Sequence, residues 1–237
     1  KNNEIIGNKF NQADGAKSIW NYQAVKTLEQ ALTGADFVVI SILPGTFDEM
    51  ESDVHAPEKY GIYQSVGDTS GPGGILRAMR TIPMYEVIAE AIKNCCPNAW
   101  VINYTNPMTL CVKALYRVFP EIKAFGCCHE VFGTQKFLAK IVEEKLGAEK
   151  VERQEIKVNP VAVNHFTWLT EAKYHDVDLL PIYKEYCAEH LEESGLEKPI
   201  DSNWMNNSFV SSEKVKMDLF QKFGWIAAAG DRHLAEF

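Results

Sequence analysis

The strongest constraint on the fold is a run that fails to alternate. Asp36-Phe-Val-Val-Ile-Ser-Ile-Leu43 is apolar at six of its eight positions. A strand with one wet face would read apolar and polar in turn, so this run predicts a parallel strand covered on both faces. Pro44-Gly45 ends it. Two shorter runs of the same kind follow, Ala99-Trp-Val-Ile-Asn103 and Lys123 to Cys127. Helical spacing lies before and between them. Gln23 to Leu32 carries Ala24, Leu28, Ala31 and Leu32, with Gly34 as its stop, and Ile75 to Lys93 is helical with an interruption at Pro83. Pro107 to Val118 and Val131 to Leu146 repeat the pattern, the latter stopped by Gly147. Strands alternating with helices argue an α/β fold with a doubly wound, Rossmann-like parallel sheet.

After Gly147 the texture changes. Ile156 to Val163 and Phe166 to Tyr174 carry Val and Thr and predict an antiparallel pair. Helices are expected over Leu180 to Leu191 and over Ser212 to Phe223, joined by a linker-like stretch from Glu193 to Asn207. The expected organisation is a nucleotide-binding type of domain over 1–153 and the start of an α+β catalytic domain over 154–237.

Composition removes several function classes. With 46% hydrophobic and 24% charged residues the 237-residue chain can bury a core. Its formal net charge of −8 argues against nucleic acid or an anionic membrane as partner. No apolar segment reaches the roughly 20 residues that span a bilayer. Six cysteines, two pairs of them adjacent at Cys95-Cys96 and Cys127-Cys128, do not form a disulfide framework and point to a reducing, cytoplasmic setting.

The chemistry-bearing residues gather at strand ends, where open α/β sheets bind ligands. Ala124-Phe-Gly-Cys-Cys-His-Glu-Val-Phe-Gly133 places a thiol and an imidazole where a strand gives way to a helix. Val163-Asn-His-Phe-Thr-Trp168 supplies another imidazole. Cys128 and His165 could hold one divalent cation and leave positions open for substrate. Their separation, 165 − 128 = 37 residues, matches no zinc-finger spacing. The plainer reading is a buried cysteine and a hydrogen-bonded histidine.

Four ordered motifs resemble those of glycoside hydrolase family 4. They are Asn103-Tyr-Thr-Asn-Pro107, the Cys-His-Glu run, the Asn-His-Phe-Thr-Trp run and Gly230-Asp-Arg-His-Leu-Ala-Glu-Phe237. The resemblance extends from Ala35 to the last residue and implies a malate-dehydrogenase-like fold, NAD and a divalent metal, typically Mn2+. Cys-His-Glu resembles the α-galacturonidase and α-galactosidase branch; the phospho-glycosidase branches carry Asn or Asp where this chain has His129. The resemblance makes Cys128 and His165 metal ligands, although thiolate softness alone would suit zinc. It makes Asp231 the candidate base or acid and gives His129 a general-acid role in place of a core position. Asn106, Asn164, Arg77, Arg232 and His233 become substrate-binding candidates, with plainer readings as turn, helix-start and surface residues. Ser41, Leu43, Pro44, Asn103 and Asn106, at the ends of the first two strands, become cofactor-binding candidates. The loop from Gln64 to Gly74 resembles the family's cover over nicotinamide and sugar; on its own it reads as a flexible loop with loop glycines.

One expected element is absent: no strand, Gly-x-Gly-x-x-Gly and helix precedes Ala35. The family carries that motif at its amino terminus, so an internal fragment is expected. The implied reaction is redox-assisted elimination. NAD oxidises carbon 3 of the sugar, a base takes the proton on carbon 2, the glycosidic oxygen leaves, water adds and the hydride returns, so paired carboxylates at fixed separation are not required. The implied substrate is an α-galacturonide, with α-galactosides, α-glucosides and α-glucuronides as alternatives within the family. Outside it stand a lactate- or malate-type dehydrogenase and an inactive NAD-binding fragment. Family members commonly associate as homodimers or homotetramers.

Overall fold

The computed structural model describes residues 2–12, 15, 17–192 and 212–236. The expected linker from Glu193 to Asn207 lies outside them. Three four-residue strands, β1 (Phe37–Ile40), β2 (Trp100–Asn103) and β3 (Lys123–Gly126), pair in parallel in the order β1-β2-β3. The helices α4 (Gly71–Cys95) and α5 (Met108–Val118) make the two crossovers. Val38, Ile40, Val101 and Ala124 meet Tyr85, Ala89 and Ile92 of α4 and Cys111 and Leu115 of α5 in one core. The other face differs from the expectation of a strand covered twice. Phe37 is 67% exposed, Val39 60%, Trp100 49% and Phe125 42%. Both crossover helices pack on each other and on the same side of the sheet, which is why β1 alternates in burial although its sequence does not.

Two further differences have local causes. Helix α4 begins at Gly71 and runs unbroken through Pro83. Gly73 and Gly74, expected as loop glycines, therefore lie in its first turn. A Cβ on Gly74 would come within 2.6 Å of the Thr69 carbonyl, and one on Gly73 within 2.9 Å of the Asp53 carbonyl oxygen. Those contacts need glycine because backbone packs directly on backbone. Helix α3 (Phe47–His55) was not expected, yet Thr46 and Glu49 form a capping box at its start. Threonine followed three residues on by glutamate is a helix-start signature.

The remaining elements build a second core. Helix α6 (Glu130–Leu146) packs its Leu138, Ile141 and Val142 against Ile156 of β4 (Ile156–Val163) and Leu169 and Ala172 of β5 (Phe166–Tyr174). The pair β4–β5 is antiparallel, with β6 (Val177–Asp178) and β7 (Ile226–Ala227) added along β5. Helices α7 (Leu179–His190) and α8 (Lys214–Phe223) close this core with Tyr183, Met217 and Phe220. Lys216 is buried there, its Nζ 2.8 Å from Thr134 Oγ1 and 2.5 Å from Glu213. The chain then turns into α9 (Asp231–Leu234). No helix among the described residues is long and apolar enough to cross a membrane.

Candidate active site

The site is assembled where β3 ends and the β4–β5 hairpin turns. Cys127 N–H donates to the Asn103 carbonyl at 2.9 Å, carrying the parallel ladder one residue beyond β3. Cys128 follows directly, ahead of α6. On the hairpin, Val163 pairs with Phe166, so Asn164 and His165 form a two-residue turn. Asn164 takes φ 55, a left-handed conformation that asparagine tolerates, and this puts His165 at the tip.

Cys128 Sγ lies 3.6 Å from His165 Nε2. Ligands at about 2.3 Å and 2.1 Å from one ion, near the tetrahedral angle, are about 3.6 Å apart, so the pair has the spacing that two ligands of one ion would have. His165 is only 8% exposed, and burial followed by the nearby His233 pushes its pKa down to about 4. The imidazole is therefore neutral at pH 7, the form that ligates. Cys128 keeps solvent-accessible surface, yet the protein packed around it raises its thiol, and the charges of Glu130 and Asp68 add to that. A bound cation reverses this by deprotonating the sulfur outright.

Two carboxylates face this pair. Asp68, 7% exposed, is ion-paired to the buried Arg77 through Oδ1 and accepts from Asn106 Nδ2 at 3.1 Å through Oδ2. Glu130 accepts from the Gly230 N–H. Between them stands His233, with Nδ1 3.8 Å from Asp68 Oδ2 and Nε2 3.9 Å from Glu130 Oε1. Its ring stacks on His165. His233 Nδ1 is buried without a hydrogen-bond partner. One ligand atom each of Asp68, His165 and His233 falls within 4.8 Å of the others. Sulfur and imidazole in the Cys128–His165 pair, and carboxylate and imidazole in the Asp68, His165 and His233 group, are donors of the kinds divalent cations take.

The loop that carries Asp68 is fastened from the far end of the chain. Val66 N–H and Gly67 N–H both donate to Glu236 Oε1, at 2.8 and 2.6 Å, and Ser65 Oγ donates to the Arg232 carbonyl. This loop is a fixed wall of the site.

Several sequence candidates sit elsewhere or are otherwise engaged. Arg77, expected to clamp a substrate carboxylate, is 7% exposed and committed to Asp68. Asp231, expected as base or acid, is buried against the start of α8, where Oδ1 accepts from Lys216 N–H and Oδ2 from Ser212 Oγ, each at 3.1 Å. Asn103, expected at the cofactor, is fully buried with its amide engaged by Tyr85 and Thr105, so it shapes the strand end. Asn106 faces Asp68 and accepts from Met108 N–H. Asn164 serves the hairpin turn, its carbonyl accepting from Thr167 Oγ1. The His129 side chain is 86% exposed, which excludes a core role, and its Nε2 lies 3.4 Å from Glu130. Arg232 is half-buried, and burial pulls its guanidinium pKa down. Ser41 and Leu43 are exposed beyond β1, with Pro44 buried behind them. For a dinucleotide these supply only a platform: among the described residues no strand leads through a Gly-x-Gly-x-x-Gly turn into a helix. Asp68, Glu130 and Glu236 were missed as site residues. An acid inside a glycine-rich loop and an acid beside His129 were the available signals.

A family model for "Family 4 glycosyl hydrolase" matches residues 1–144, and one for the C-terminal domain of the same family matches 161–236. The chain is 65% identical to an alpha-galacturonidase of Thermoanaerobacterium saccharolyticum over 99% of its own length and 50% of that protein's. It is similar to the crystal structure of lplD from Bacillus subtilis, with TM-score 0.86 and 55% identity over 98% of this chain and 52% of that one. A 6-phospho-alpha-glucosidase from gut microorganisms, solved in complex with NAD and Mn2+, shares the fold with TM-score 0.68 at 20% identity, covering 89% of this chain and 45% of that one. The chain spans about half the length of the curated relatives it matches.

Proposed function

This chain belongs to family 4 of the glycosyl hydrolases, and from that premise we propose that its site serves the hydrolysis of α-galacturonides with a divalent metal, manganese, and NAD. The observation that carries the metal part is the 3.6 Å approach of Cys128 Sγ to His165 Nε2 across 37 residues. The 65% identity to an alpha-galacturonidase supports the sugar.

Cys128 and His165 would hold the ion, whose contribution when bound is Lewis acidity toward the sugar oxygens. The dinucleotide, when bound, supplies reversible hydride acceptance. The chain's own residues do the rest. Asp68, fixed by Arg77 and Asn106, keeps negative charge beside the ligand histidine. His129, exposed at the rim with Nε2 3.4 Å from Glu130, carries a proton between solvent and the leaving oxygen. Asp231 acts by fixing the turn that presents Arg232 and His233. The same reading includes a homodimer or homotetramer and a cytoplasmic setting, in keeping with six unpaired cysteines.

The test is an assay of the full-length protein with p-nitrophenyl α-galacturonide and α-galactoside, with NAD, Mn2+ and a thiol reductant omitted in turn. Nitrophenol release that needs NAD and metal, without NADH accumulating, is expected on the galacturonide. Cleavage indifferent to both would sink the reading, and preference for the galactoside would change the sugar.

A further inference from the structure

We infer that Lys216 is a positioning residue of the site: through Thr134 and the backbone of Ala228 it fixes how the helix that follows Cys128 meets the hairpin that carries His165. Its effect on turnover rests on the proposed function, whereas its contacts do not.

Packing alone would not put a lysine here. Lys216 is 1% exposed on α8, whose Met217 and Phe220 belong to the second core. A buried ammonium is costly unless it is paired and hydrogen-bonded, and an unbranched apolar side chain would fill the same space without that cost. Its Nζ pairs with Glu213 one turn back on α8, donates to Thr134 Oγ1 at 2.8 Å and stands 5.7 Å from the ring centroid of Phe137. Thr134 and Phe137 both belong to α6.

Direction is what the ammonium adds. It carries donors only, so Thr134 Oγ1 must accept from it and has its own hydrogen left to donate. That hydrogen goes to the Ala228 carbonyl, 2.7 Å away. Without the lysine, the hydroxyl is free to turn back on a carbonyl of its own helix four residues earlier, a common bond of helical threonine. The Ala228 carbonyl would then lose its partner.

Ala228 is a junction between the two halves of the site. Its N–H donates the other way, to the Thr167 carbonyl at 2.8 Å, and Thr167 Oγ1 donates to the Asn164 carbonyl at 2.6 Å. One residue therefore ties α6 to β5, two positions from His165. One turn nearer to Cys128 on α6, Glu130 accepts from Gly230 N–H, and the Lys216 N–H itself donates to Asp231 Oδ1 at 3.1 Å. The segment from Ala228 to Asp231, held in this way by α6 and α8, leads into α9, which lays His233 against His165.

The experiment uses the full-length protein. Lys216→Met/Glu213→Gln removes the buried pair together and strands no charge, a replacement that is often neutral for stability. Its melting temperature should stay close to that of wild type. Amide exchange at Ala228 and Gly230 should quicken by about tenfold, the effect of one lost hydrogen bond. The side-chain 15N signals of His165, assigned with His165→Gln, should shift. With p-nitrophenyl α-galacturonide, kcat should fall about 10–100-fold with KM little changed, since a displacement of about 1 Å costs about 100-fold. Thr134→Val should reproduce these changes, and adding the pair substitution to it should cost little more, because both act through one chain of bonds. Thr134→Ser keeps the hydroxyl and should restore most of the loss. The two Thr134 variants carry the same test should the pair variant unfold. Unchanged His165 signals and exchange in a folded variant, or a Thr134→Ser that loses as much as Thr134→Val, overturn the inference. If wild type shows no NAD- and metal-dependent cleavage, the proposed function falls, and the exchange and His165 signals still decide for or against Lys216.

Discussion

The imidazole of His233 lies flat against that of His165, ring centroids 3.8 Å apart and planes 29° from parallel. One ring comes from the tip of a hairpin and the other from α9, close to the end of the described chain. The contact backs the candidate ligand ring with a second ring face.

Removing that support should loosen the metal. His233→Ala is expected to weaken Mn2+ binding by about tenfold, at the lower end of the effect of groups that orient ligands. His233→Phe keeps a flat ring and should restore most of the loss. A titration in which both variants lose alike would show that the His233 nitrogens, and not its face, matter.

Metal-free protein should lose stability in acid through His165. Its pKa falls from an ordinary 6.5 to about 4 on folding, chiefly through burial. Between those values the unfolded chain binds the proton and the folded one does not, so stability drops as pH falls through that window. About 2 kcal/mol should be lost between pH 7 and pH 4.5. Urea unfolding at the two pH values, for wild type and His165→Gln, checks this. The variant should lack that share of the drop, and equal pH dependence would contradict the assignment.

Asp231 is predicted to be worth more to folding than to chemistry. Its two oxygens accept from Lys216 N–H and Ser212 Oγ at the start of α8. Asp231→Ala should cost about 1–2 kcal/mol, the range of a lost helix cap. Asp231→Asn keeps an acceptor and should retain activity within about tenfold of wild type, whereas loss of a proton-transferring group costs about 10²–10⁴-fold. Thermal melts and kcat of the two variants decide between the roles.

The sequence disclosed what local pattern controls. β2, β3 and the β4–β5 hairpin fall within a residue of their expected bounds because strand and turn signals are local. Cys128 and His165 were legible as members of motifs, and they meet. The uncovered face of β1 was not legible, because apolar residues mark a strand's neighbours without saying whether this chain supplies them. Nor could spacing show that Arg77 is spent on Asp68, or that Asp231 turns toward α8. Those roles depend on which side chains fold into reach. The contacts of the 65–67 loop with Arg232 and Glu236 span 167 to 170 residues, and no periodicity encodes them.

That last contact carries its own prediction. Glu236 Oε1 accepts both Val66 N–H and Gly67 N–H, and the next residue along the loop is Asp68. Hydrogen bonds to a charged acceptor are worth about 1.5–3 kcal/mol. Glu236→Ala should therefore speed amide exchange at Val66 and Gly67 by roughly 10–100-fold, since each 1.4 kcal/mol is a factor of ten. Exchange in the α4 core, at Ala89 and Ile92, should stay unchanged because those residues pack far along the helix from its first turn. Glu236→Gln, which keeps the acceptor oxygen without the charge, should fall between. If exchange in the loop is unaltered in Glu236→Ala, the loop is held by Ser65 and the packing of Gly73 and Gly74 alone, and Glu236 has no part in presenting Asp68.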